Sequence, residues 1–143
     1  MNELSDIPID INNTTDVIQS PSPALLALLQ ELRCMLEQLA EQGISDSIDI
    51  RSLPFLPGDY EQLETILGEG EINATLNSLG NSQIRETAIP GIWWITHTNS
   101  EDEILTELLE VTLLPEILKT PQQDVSEASA MLQQILQQLV AEN

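Results

Sequence analysis

The stretch Ile84–Val111, IRETAIPGIWWITHTNSEDEILTELLEV, decides how this chain folds. Its centre, Ile92–Thr98 (IWWITHT), is rich in β-branched and aromatic residues, which suit a pleated, half-buried surface, and it reads as a strand. Pro90-Gly91 separates it from a preceding strand, Ile84–Ile89, because both residues interrupt a ladder. Asn99–Asp102 is a polar turn. Ile104–Leu114 contains TELLEV, which is helical by propensity. A strand that follows a short turn usually pairs with its neighbour, so the segment is read as an antiparallel strand.

Upstream, Glu71–Leu76 (EINATL) sets Ile72, Ala74 and Leu76 on one face, as a strand does, and Leu79–Asn81 turns the chain. Asp59 caps a short helix through Leu67, with Leu63, Ile66 and Leu67 inward and Gly68 as its stop. Ser47–Leu53 (SIDIRSL) alternates Ile48, Ile50 and Ser52 against Asp49 and Arg51 and reads as a half-buried strand; Pro54 and Pro57 then punctuate. Two longer helices flank this region. In Ala24–Gln42 the positions Leu25, Leu28, Leu29, Leu32, Met35, Leu36 and Leu39 form one stripe, with Ser22 as cap, Pro23 in the first turn and Gly43 at the stop. Gln123–Ala141 carries Val125, Ala128, Met131, Leu132, Ile135, Leu136, Leu139 and Val140 in the same way, after a helical turn at Pro115–Thr120. The expected class is α+β: an antiparallel sheet of four to five strands, with the two longer amphipathic helices packed on one face. Residues 1–20 read as a flexible acidic arm and 21–143 as a single domain. The alternation of Ile7, Ile9 and Ile11 leaves an added edge strand as the alternative for the arm.

The 143 residues include 24 acids and four bases, a formal net charge of −20. Such a surface repels phosphate backbones and anionic headgroups, which excludes nucleic-acid and peripheral-membrane roles. It provides solubility, and it can also serve as a docking field for a basic partner. The acidic start MNELSDIPIDINN lacks the basic region and apolar run of a signal peptide, and no stretch reaches the ~20 apolar residues of a membrane span. A cytoplasmic location is therefore expected.

Catalysis and metal binding find little support. Cys34 is the sole cysteine and His97 the sole histidine, so no disulfide, thiolate cluster or histidine-rich site can be assembled within the chain. Cys34 is expected to be a buried or half-buried inert thiol, and His97 a structural residue at a sheet end. Gly68-Glu69-Gly70-Glu71 places two carboxylates beside two flexible residues, too few ligands for a hard cation. On local grounds the favoured account of the motif is a helix stop at Gly68, with Gly70 relaxing the turn. Trp93-Trp94 is the other unusual feature, since aromatics make up only 3% of the chain. Neighbouring strand residues face opposite sides, so one indole packs in the core and the other is either a surface anchor or packed under the arm. The company of Ile95 favours Trp93 as the buried one. No catalytic residue, cofactor or metal ligand is expected.

These two motifs carry a resemblance. LPFLPGDYEQLETILGEGEINATL (53–76), then IRETAIPGIWWITHTNS (84–100), then Glu110-Val111 and Pro115, resemble the C-terminal domain of the HupH/HyaF hydrogenase expression/formation proteins, over about Ile44 to Leu118. The family pattern runs LGEGEV, then IPGVWW, then an acidic stretch ending in IEV and a proline. The resemblance implies a non-enzymatic, chaperone-like accessory role in maturation of the nickel–iron uptake hydrogenase. It also implies binding to the iron–sulfur small-subunit precursor, with other maturation proteins as candidate partners. The partner-binding residues it suggests are Gly68, Glu69, Gly70, Glu71, Pro90, Gly91, Trp93 and Trp94. An oligomerising structural or interaction domain with another partner, including a homodimer, is the alternative.

Overall fold

The structure, a computed structural model, describes residues 20–142. The proposed arm, with its alternative strand at Ile7–Ile11, falls outside the described residues apart from Ser20. The chain divides into two units after Leu113.

The first unit opens with helix α1, Pro23–Gln42. Ser22 Oγ accepts a hydrogen bond from Leu25 N (3.1 Å) and donates to Asp59 Oδ2 (2.6 Å), which also accepts from Leu56 N (2.7 Å). One hydroxyl thus caps α1 and ties it to the start of the second helix. Gly43 closes α1 in the left-handed conformation, φ 70°, which glycine adopts without steric cost. Strand β1, Asp46–Asp49, is shorter than expected. The Asp49 side chain accepts from Arg51 N (3.0 Å) and caps a 3-10 turn over Ile50–Ser52, which buries Ile50. A local side-chain bond has here outcompeted the ladder.

Helix α2, Asp59–Leu67, follows, and then β2 (Asn73–Asn77), β3 (Asn81–Glu86), β4 (Ile92–Thr98) and β5 (Ile104–Val111). The strand order is β1-β5-β4-β3-β2 with every neighbouring pair antiparallel. The ambiguous segment is therefore the strand that its turn implied. β3 ends at Glu86, short of the expected Ile89. Beyond it, Thr87 N donates to Ile92 O (3.0 Å) and Thr87 Oγ1 accepts from Ile89 N (3.2 Å), closing a tight Thr87–Ile92 loop.

Register explains the core. Ile92 pairs with Val111 and Trp94 with Leu109, so these four share one face. They form a single buried cluster with Leu25, Leu28, Leu32, Met35 and Leu39 of α1 and Leu63 and Leu67 of α2. On the opposite face lie Trp93, Ile95 and Ile84, the last two directly paired. These are buried as well, so the central strands are covered on both sides. Cys34 lies exposed on the outer side of α1, which corrects the expectation of a buried thiol: its neighbours Arg33 and Glu37 form an exposed ion pair, and it sits off the leucine stripe.

The second unit holds a 3-10 turn, Glu116–Leu118, and helix α3, Gln122–Ala141. The helix forms where its periodicity places it, yet it has no buried residue. This corrects the expectation that both long helices bury a leucine face. In the first unit, α2 supplies the second set of buried helical leucines, Leu63 and Leu67.

Candidate functional site

The two motifs, separated in sequence, meet at the junction between α2 and β2. Gly70 N donates to Glu86 O (2.8 Å), Ala88 N donates to Leu67 O (2.8 Å), and Glu71 N donates to Glu86 Oε1 (3.3 Å). Gly68 leaves α2 with φ 66°. Gly70 has a different reason: a Cβ there would lie 2.5 Å from Thr87 O and 2.9 Å from Glu86 Oε1. The residue is glycine because another backbone presses against it, not because the turn needs slack.

Two shallow clefts lie on either side of this junction and share Glu69. The first, about 340 Å³, is lined by Glu61, Glu64, Gly68, Glu69, Arg85 and Trp94. The second, about 360 Å³, is lined by Glu69, Gly70, Glu71, Glu86, Thr87 and Pro90. Glu61, Glu64, Glu69 and Glu71 are exposed, so a row of carboxylates follows the junction. One cation stands among them: Arg85, whose guanidinium carbon lies 5.3 Å from the Trp94 ring centroid. Cation–π contact of this kind fixes the guanidinium without neutralising it.

Beneath this surface sits a buried acid. Glu107, 5% exposed, accepts through Oε2 from Tyr60 Oη (2.5 Å), Trp94 Nε1 (3.1 Å) and Thr96 Oγ1 (3.3 Å). Three donors on one carboxylate oxygen are how a core tolerates an ionisable side chain. Burial, and then the hydrogen bond to Glu107, push the Tyr60 hydroxyl well above its ordinary range. Tyr60 also meets the Trp94 ring edge-on, with centroids 5.4 Å apart. Trp94 is thereby held by one polar and one aromatic contact while its edge lines the first cleft.

The expected site residues separate into two groups. Gly68, Glu69, Gly70, Glu71 and Pro90 come together at the clefts. Gly91 does not: a Cβ on it would lie 3.1 Å from Leu36 Cδ2, so it faces α1. Trp93 and Trp94 do point to opposite faces, but they are 3% and 2% exposed. Neither is a surface anchor, and the helix-facing indole is Trp94, which corrects both expectations. Trp93 Nε1 donates to Thr112 O (3.1 Å), which satisfies its polar edge inside the protein. Sequence reasoning missed Glu61, Glu64, Arg85 and Glu107. The first two were legible, since positions 61 and 64 share the face of α2 opposite its leucines. His97 is half-buried, with Nδ1 2.7 Å from Ser82 Oγ across β3 and β4. Among the described residues, no group of three or more His, Cys, Asp or Glu is arranged to hold a metal ion. No helix among them is long and apolar enough to cross a membrane.

The chain is similar to known proteins in sequence and in fold. The chain is 31% identical over 126 residues to the hydrogenase expression/formation protein HoxQ of Azotobacter vinelandii, covering 87% of this chain and 43% of the relative. It is 30% identical over 95 residues to HupH of Rhodobacter capsulatus, covering 66% of this chain and 34% of that one. The chain thus spans less than half the length of the curated relatives it matches. Among solved structures, the hydrogenase expression protein HupH from Thiobacillus denitrificans superposes with a TM-score of 0.78 at 40% identity, covering 83% of this chain and 99% of that one. Residues 24–139 match the family described as HupH hydrogenase expression protein, C-terminal conserved region, a span that adds both long helices to the motifs around Ile44–Leu118. The chain belongs to the HupH hydrogenase expression protein family, as a member of its C-terminal conserved region.

Proposed function

We propose that this chain is a cytoplasmic, non-catalytic accessory protein of nickel–iron hydrogenase maturation, and that it holds the iron–sulfur small-subunit precursor through the paired clefts beside Gly68–Glu71. Other maturation proteins are further candidate partners. The observation that carries the reading is the convergence of the two family motifs on one carboxylate-lined surface. Glu61, Glu64, Glu69 and Glu71 present negative charge over low-lying apolar ground at Pro90 and the Trp94 edge. Such a surface suits a basic, partly apolar segment, with the charges setting encounter rate and orientation. Gly91, Trp93 and Trp94 act by shaping this surface from within, and Gly70 by allowing the two loops to touch. The match across residues 24–139 supports treating 21–143 as one functional module. An oligomerising module is the second reading, favoured by the exposed stripe of α3.

The test is capture of the small-subunit precursor by purified protein, comparing wild type with Glu64→Lys/Glu69→Lys. These residues are exposed, so melting should change little. Capture should fall at least about tenfold and should weaken with salt. Undiminished capture by the double variant, or none by the wild type, would remove the proposal.

A further inference from the structure

We propose that α3 is a self-association helix, pairing with α3 of a second copy of this chain. Met131, Leu132, Ile135, Leu136 and Val140 are all more than two-fifths exposed, on a helix of 20 residues. Most of a protein helix's stability comes from packing of its amphipathic face rather than from propensity. The sequence says what kind of surface fits. Val125, Ala128, Leu132 and Ile135 follow at steps of three, four and three, the seam spacing that takes another helix knobs-into-holes. The chain's other long helix already buries its stripe in its own core.

Charge selects the second copy over a basic partner. The protein carries −20 overall, yet residues 121–142 contain only Asp124, Glu127 and Glu142 as charged groups. The seam's flanks are Ser129, Met131, Leu136 and Gln138, with one acid, Asp124, at the helix start. A helix made to recognise a basic partner would place acids along those flanks, where they set partner choice. Two acidic copies, by contrast, repel wherever carboxylates meet, and this face lets them approach with a single carboxylate, Asp124, on each seam's flank.

The inference is independent of the hydrogenase reading, and its readout is mass rather than precursor capture. Sedimentation equilibrium of the full chain over a range of concentrations should show a monomer–dimer equilibrium that tightens as salt screens the net charge. Leu132→Glu should raise the dimer dissociation constant at least about thirtyfold, as loss of a central interface anchor does. Leu132→Gln, which keeps helix propensity, should weaken the dimer in the same direction with an unchanged melt of the sheet unit. A monomer at every concentration would overturn the proposal, as would a dimer indifferent to both variants. A monomer whose melting temperature drops sharply with Leu132→Gln would also overturn it, showing the stripe covered by the chain's own residues.

Discussion

Helices α1 and α3 have the same length, 20 residues, and each carries one broad leucine-rich stripe. α1 buries Leu25, Leu28, Leu32, Met35 and Leu39, whereas α3 buries nothing. Their termini differ too. α1 begins on the Ser22 side chain, itself bonded to Asp59, and ends on a left-handed glycine; α3 begins at Pro121 with no side-chain cap. Amphipathicity therefore reports that a face exists and is silent on what covers it. The polar ties at the helix ends carry that second piece of information, because a cap shared with another element fixes where the helix sits.

The comparison breaks most easily at two leucines one hundred positions apart. Leu32→Asp should cost at least about 4 kcal/mol, a core leucine lost and an unpaired carboxylate buried. That is a large part of a domain's total stability, so circular dichroism should show a largely unfolded chain. Leu132→Asp should leave the sheet unit's melting within a few degrees of wild type. Equal destabilisation by the two would mean the stripes are equivalently covered.

A sharper contrast comes from the polar anchor beneath α2. Tyr60→Phe removes one of the three donors to Glu107, and a bond to a charged group is worth about 1.5–3 kcal/mol. The sign with pH follows from the raised Tyr60 value. The unfolded chain loses the phenolic proton at the ordinary value of 10.0, before the folded one does. Stability from this group is therefore intact below pH 10 and falls as pH rises beyond it. Tyr60 is the sole tyrosine, so ultraviolet difference titration reads it directly. A phenol ionising at its ordinary value in the folded protein would contradict this. The Tyr60→Phe variant should lack the alkaline loss of stability.

The smallest effects lie at the caps. Ser22→Ala should cost about 1 kcal/mol for the lost cap, with some addition because Asp59 Oδ2 loses a donor. Installing a cap on α3 with Pro121→Ser should raise helicity by circular dichroism and leave the sheet unit's thermal midpoint unchanged. A matched shift in both would show that the helix and the sheet melt as one.

Much of this was legible in the residues. Ile92–Thr98 coincides with β4, and α1 starts and stops where Ser22, Pro23 and Gly43 indicate. What failed did so for identifiable reasons. Asp49 ended β1 by bonding Arg51 N, a local competition that alternation cannot reveal. The two tryptophans do face opposite sides, and alternation alone leaves open whether the second face is exposed or covered. Ile84, Ile95 and Trp93 line it, and their burial shows an apolar row on that side which pairwise register makes visible. At the candidate site, the motif glycines were noticed, whereas the reason for Gly70 and the presence of Arg85 depend on which strand lies across the turn.

The pairing of β1 with β5 has a consequence for the order of events during synthesis. Asp46–Asp49 bonds to Leu108–Val111, so the sheet's first strand waits for its last. The leucines of α1 likewise wait for Trp94, Leu109 and Val111. Contacts of such long sequence separation form slowly and leave apolar surface uncovered in the meantime. A nascent chain of this protein thus exposes the leucine stripe of α1 before there is a floor to set it on. The interval before residue 111 clears the ribosome is when this chain is itself most in need of a chaperone.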